Sequence, residues 1–208
     1  MNKQPLLFSA LAVVGGLCLP MAAGAQTQPT VAPRAVLGAH LGATSIAGGD
    51  YEQLASLWGY GSFGTGLVAN LEAGAMVTPW LTVGGRLGML RSTSESSGRD
   101  GASLSLSSYD LGAFARFGAV LGQRRVKGFV GAQLEAGAQY ASIALRGASE
   151  SAIAPRFAVL AMGQMIVGPV AFGLRIGPRF GAWSRAGGQD ADLDLGGIEV
   201  STGVEVRL

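Results

Sequence analysis

The sequence predicts an all-β protein, an eight-stranded antiparallel up-and-down transmembrane β-barrel, on three observations. Segments in which apolar and polar residues alternate with a period of two recur along the chain, the signature of strands with one apolar face. The apolar faces carry no charge, whereas the opposite faces hold Glu72, Arg86, Asp110, Arg116, Lys127, Glu135, Arg156, Arg175, Arg179, Glu199, Glu205 and Arg207. An Arg or Lys turned to mid-bilayer lipid would cost about 2–4 kcal/mol, so a lipid-facing wall demands this segregation. The connections alternate between long and short, as in barrels with long outer loops and short periplasmic turns.

The first residues predict export. Lys3 precedes an apolar run from Leu6 to Leu19, and Ala23-Gly24-Ala25 supplies small residues for cleavage. This is the order of a secretory signal peptide, and the run is too short for a spanning helix of about 20 residues. The expected division is a signal peptide over 1–25, a periplasmic lead-in over 26–33 and a barrel over 34–208. Cys18, the single cysteine, leaves with the signal, so the mature chain has no thiol or disulfide chemistry. A net charge of +2 offers no basic excess for nucleic acid. Charged residues are only 13% of the chain, against about a quarter in soluble domains.

A helical span has one tempting segment, Phe157 to Ile176, but Gly168-Pro169 interrupts it and reads as a tight turn. The strands follow in order. The first, Ala35 to Ala43, sets Leu37, Ala39 and Leu41 against Gly38, His40 and Gly42. A long connection, Thr44 to Phe63, contains a short helix-forming stretch, DYEQLASLW. The second strand sets Leu67, Ala69, Leu71 and Ala73 against Val68, Asn70, Glu72 and Gly74. Val77 to Trp80 turns into the third, with Leu81, Val83, Leu87 and Met89 against Thr82 and Arg86. Beyond a polar loop, Arg91 to Ala102, the fourth sets Tyr109, Leu111, Ala113 and Phe117 against Asp110, Phe114 and Arg116. Gly122 to Arg125 turns into the fifth, with Val130, Leu134, Ala136 and Tyr140 against Lys127, Phe129, Gln133, Glu135 and Gln139. A loop over Ser142 to Ala154 leads to the sixth, with Phe157, Val159 and Met165 opposite Arg156 and Gln164. The seventh sets Phe172, Leu174, Ile176, Pro178 and Phe180 against Arg175, Arg179 and Trp183. Pro178 has no N–H for the ladder, which predicts a bulge or strand end there. After Ser184 to Asp192, the last strand sets Ile198, Val200, Val204, Val206 and Leu208 against Glu199, Glu205 and Arg207.

Aromatics gather near strand ends. Phe63, Tyr109, Tyr140, Phe157 and Phe180 lie on the loop side, and Trp80, Phe117 and Phe172 on the turn side, as two interfacial girdles would. A secreted soluble barrel with an apolar core explains the alternation equally well. It leaves the loop asymmetry and the low charge unexplained.

Given the signal peptide, the turn-and-strand TPWLTVGGRLG and the alternating C-terminal strand, the chain resembles the small eight-stranded outer-membrane barrels of the OmpA/OmpX type. The resemblance implies a Gram-negative outer membrane, contact with its lipids and lipopolysaccharide, and recognition of the last strand by the barrel assembly machinery. That strand typically ends in an aromatic residue in the family; here it ends in Leu208.

An eight-stranded barrel is only wide enough for side chains to fill. The inward charges are therefore expected to form a packed network, principally Glu72, Arg86, Asp110, Arg116, Glu135, Arg175, Arg179 and Glu199. Hairpin register places Glu72 near Arg86, and a symmetric last loop would set Arg179 opposite Glu199. Catalysis is not expected: His40 is the only histidine, and no serine motif accompanies it. Gly59 to Gly64 fits G-x-G-x-x-G but enters a strand rather than a helix, so it holds no dinucleotide. Asp190-x-Asp192-x-Asp194 opens like a calcium loop but lacks the closing residues. No cofactor or metal is expected. The leading functional reading is a structural or surface-interaction protein acting through its loops, with Trp58, Tyr60 and Phe63 as candidate contacts. A narrow or gated small-solute channel is the alternative.

Overall fold

The computed structural model describes residues 34–57, 59–95, 103–122, 125–145, 148–183 and 193–208. The expected signal peptide and lead-in lie outside them. The elements are β1 (Arg34–Ser45), α1 (Gly49–Leu57), β2 (Thr65–Thr78), β3 (Leu81–Glu95), β4 (Ser103–Leu121), β5 (Val126–Leu145), β6 (Ala148–Val167), β7 (Val170–Trp183), a two-residue β8 (Leu193–Asp194) and β9 (Gly197–Arg207).

Each long strand pairs antiparallel with its sequence neighbour. β9 pairs with both β7 and β1, so the sheet closes on itself as an eight-stranded barrel. Closure satisfies the backbone groups an open sheet would leave at its edges. The tempting apolar segment around residue 168 is the β6–β7 hairpin, turning at Gly168-Pro169 with Gly168 at φ 60°. Among the described residues no helix is long and apolar enough to cross a membrane.

Three sequence expectations change. The polar stretches after Met89 and Tyr140 are strand rather than loop. β3 and β4 stay paired to Glu95↔Ser103, and β5 and β6 to Leu145↔Ala148. Their alternation simply continues with hydroxyl and small residues in place of large apolar ones. Pro178 neither bulges nor ends β7, which runs on to Trp183. The β6–β7 ladder instead skips from Ala158↔Arg179 to Ala161↔Ile176 without changing register, while Pro178 faces Ile198 on the other side. One missing donor interrupts a ladder already held on both flanks. Lys127, expected among the inward charges, lies exposed at the turn end of β5, opposite the buried Ile166 and apart from the buried network.

Candidate functional site

The barrel interior is where the chemistry of this chain gathers. Glu72, Asp110, Glu135, Glu199 and Glu205 line it together with Arg86, Arg116, Arg156, Arg175 and Arg179, and none is more than 5% exposed. With Lys127 exposed at the turn end and Arg207 at the rim, these five carboxylates meet five guanidiniums.

Glycine makes room for them. Around one ring of the lumen the register runs Glu72↔Arg86↔Gly112↔Gly137↔Arg156↔Gly181, so small positions separate the long side chains. A Cβ on Gly88 would run into the Asp110 carboxylate and the Arg86 guanidinium.

The charges form two linked nests. In the nest nearer the long loops, Arg86 donates to Glu135 and Asn70 and lies 3.2 Å from Asp110. Arg156 donates to Glu135 at 2.7 Å and to Glu199 at 3.5 Å, and Asn70 donates to Glu199 at 3.2 Å. In the other, Glu72 accepts from Arg175, from Arg116 at 2.9 Å and from Gln133 at 2.9 Å. Glu205 accepts from Arg116 and, at 3.2 Å, from Arg207. Gln133 joins the nests, donating also to Glu135 at 2.8 Å. A buried ion pair is tolerable when further hydrogen bonds satisfy its polar atoms, and the neutral amides Asn70, Gln133 and Gln139 supply part of them.

All eight residues singled out in the sequence are here, but their partners differ from the hairpin expectation. Glu72 and Arg86 are Cα partners, yet no ion pair joins them; each reaches across the lumen to other strands. Arg179 faces Gly197, and Glu199 faces Gly177. The expected pairing of Arg179 with Glu199 is therefore displaced by two residues, which leaves every side chain on its own face. Arg179 instead donates to Gln139 at 3.1 Å and lies 4.0 Å from Asp110. The bridging amides Asn70, Gln133 and Gln139 carry no charge signal. Their place between charged inward positions was the clue available. His40 is 2% exposed and 3.6 Å from Glu72.

Apolar clusters flank the charged section at both ends. Phe129, Met162, Ile166 and Ala171 pack together on the turn side. On the loop side the inward positions Leu90, Leu104, Leu106, Ala141, Ile143 and Ala154 pack against Ile46, Ala55, Tyr60, Phe63, Leu193 and Leu195. Tyr60 and Phe63, candidates for external contact, are 6% and 3% exposed. The first loop folds into the mouth, and its apolar residues follow the apolar lining. Ser92 and Ser94 fasten it by donating to the carbonyls of Phe63 (2.8 Å) and Gly61 (2.6 Å). Trp58 lies outside the described residues, as do Asp190 and Asp192 of the aspartate-rich loop.

The outer wall is the reverse of the lumen. Leu41, Leu71, Leu87, Leu111, Val130, Leu174 and Val200 all stand exposed along the middle of their strands. A soluble barrel would put these residues inside. An apolar exterior around a paired, charged interior defines a transmembrane β-barrel of eight strands, of the OmpA/OmpX-like class in architecture.

Three of the solved structures to which the chain is similar are as follows. Neisserial surface protein A (NspA) matches at 20% identity and a TM-score of 0.49, over 84% of this chain and 97% of that one. Ail, the attachment invasion locus protein of Yersinia pestis, matches in complex with the heparin analogue sucrose octasulfate at 17% identity and a TM-score of 0.49. That match covers 86% of this chain and 100% of that one. A second Ail structure gives 15% identity and a TM-score of 0.41, over 85% and 97%. No family model and no curated protein matches the sequence.

Proposed function

We propose that this protein stands in the outer membrane of a Gram-negative bacterium as a closed barrel that acts at its outward face rather than through its lumen. One observation carries the reading: the charges of the lumen are buried and paired with one another, ten in the middle of the barrel, with an apolar cluster on either side of them. A conducting path would have to break several buried ion pairs at once, each costly to leave half-made. The exported, charge-poor sequence and the lipid-type wall support the compartment. The alternating last strand, β9, supports delivery by the barrel assembly machinery.

Two measurements test this. In the outer-membrane fraction, the unboiled protein should migrate as a compact band on a detergent gel and shift on boiling; a soluble periplasmic protein with no shift would refute the location. In planar bilayers the purified barrel should be electrically silent. Steady ion flux that changes with Glu72→Gln or Arg86→Gln would replace the closed-barrel reading with the narrow channel.

A further inference from the structure

On the loop side of the barrel the wall parts between β6 and β7. Phe157 and Phe180 are cross-strand partners, and the ladder ends one pair later at Arg156↔Gly181. From there the two strands take different neighbours. β6 runs on beside β5, with Pro155 facing Ala138, while Ala182 of β7 pairs with Asp194 of β8. Pro155 has no N–H to carry the ladder further. The parting leaves a cleft of about 460 Å³, a volume within the range of small-molecule sites.

Pro155, Phe157, Phe180 and Leu193 give this cleft its apolar lining, and Asp50 and Asp194 supply the only charges among its lining residues. Phe157 and Phe180 are 53% and 50% exposed, whereas Leu193 is fully buried in the apolar cluster of the mouth. The cleft therefore reaches from the outer wall to the packing of the mouth. One tie brings the carboxylates to it: the Gly48 N–H donates to the Asp194 carbonyl at 3.1 Å, which holds the start of α1 beside β8. Asp194 Oδ1 accepts from the Gly196 N–H at 2.7 Å, and the Asp50 carboxylate has no hydrogen bond or ion pair among the described residues. Two like charges at one cleft repel each other, and a cation between them turns that repulsion into attraction. The half-exposed ring pair favours the same visitor, because the face of an aromatic ring attracts a cation and its body packs against apolar groups. A bare metal ion would leave the rings unused, and an anionic amphiphile would be repelled by the carboxylates.

We propose that the cleft between β6 and β7 binds an organic cation with an apolar body. Its ammonium group lies at Asp50 and Asp194, and its ring or short alkyl part packs against Phe157, Phe180 and Leu193. This deepens the outward-face reading, on which it rests for the side of the membrane to which the cleft opens. Positive charge sets the ligand apart from phosphate-bearing membrane lipids, which the two carboxylates disfavour.

The test uses the folded barrel in micelles of a neutral detergent, titrated by calorimetry with three probes that share one apolar body: phenylpropyl-trimethylammonium, phenylpropanol and phenylpropanesulfonate. Tetramethylammonium serves as the head alone. Wild type should hold the aromatic cation at least about tenfold more tightly than the alcohol, with the sulfonate and tetramethylammonium weaker still. D50N/D194N should bring the cation down to the affinity of the alcohol and leave the alcohol unchanged; asparagine keeps the oxygen that accepts from Gly196. F180A should weaken the cation and the alcohol alike, and added salt should weaken the cation alone. The gel shift on boiling checks that each variant is folded; should D50N/D194N fail, D50N by itself should show a smaller loss of the same kind. Equal affinity for cation, alcohol and sulfonate overturns the proposal and leaves the cleft as part of the lipid-facing wall. Cation binding unchanged in D50N/D194N or in F180A overturns it too. So does tetramethylammonium binding as tightly as the aromatic cation, which would reduce the site to a bare carboxylate pair. The titrations need only the folded barrel, whereas cell fractionation decides the compartment, so failure here and failure of the outer-membrane reading are distinguishable.

Discussion

β4 passes through two solvents, and its two halves are built on opposite plans. From Tyr109 toward Phe117 its outward residues are apolar (Leu111, Ala113, Phe117), and its inward ones include Asp110 and Arg116. From Ser107 back to Ser103 the outward residues are serines, and the inward ones are Leu104 and Leu106, at 1% and 0% exposure. The same inversion crosses β3 between Arg86 and Leu90, and β5 between Gln139 and Ile143. A strand in lipid must put charge inside and a strand in water must put apolar side chains inside. The row of Met89, Tyr109, Tyr140 and Ile153 marks where one demand gives way to the other.

The largest effect should come from breaking the charged half. Glu135→Leu leaves Arg86 and Arg156 without their shared carboxylate and should destabilise the barrel by about 3–5 kcal/mol, read from urea unfolding in lipid vesicles. In the mouth half, Leu106→Ala should cost about 2–5 kcal/mol through a cavity beneath the first loop. It should also expose that loop to protease, whereas Glu135→Leu should loosen the whole barrel together. A pair of arginines would locate the boundary. Leu111→Arg should cost about 2–4 kcal/mol, while Ser107→Arg, four residues away on the same face, should fall within about 0.5 kcal/mol. Equal costs would mean that the aromatic row is not the boundary. A small effect is also expected of Arg179→Met. With one hydrogen bond to Gln139 and a distant Asp110, its loss should change unfolding by no more than about 1 kcal/mol.

The inversion also explains which residues were legible. Asp110 and Arg116 were assigned to the interior because they sit among lipid-facing neighbours. Ser142 to Leu145 reads as loop in the sequence because hydroxyl and apolar residues alternate more faintly than charged and apolar ones. Tyr60 and Phe63 looked like exposed anchors because the apolar chamber that receives them is assembled from β3, β4, β5 and β6, far away in sequence.

By itself the sequence determined the strand count, the Gly168-Pro169 turn and the side of the wall for the membrane-type halves of the strands, the charged network residues among them. These follow from a period of two, which is local and survives any even shift of register. The tertiary structure alone decided that Glu72 answers Arg116 and Arg175 rather than Arg86, that Arg179 faces Gly197, and that the first loop closes the mouth. Those facts depend on which side chains meet across a closed lumen, and only the closing of β1 on β9 sets that distance.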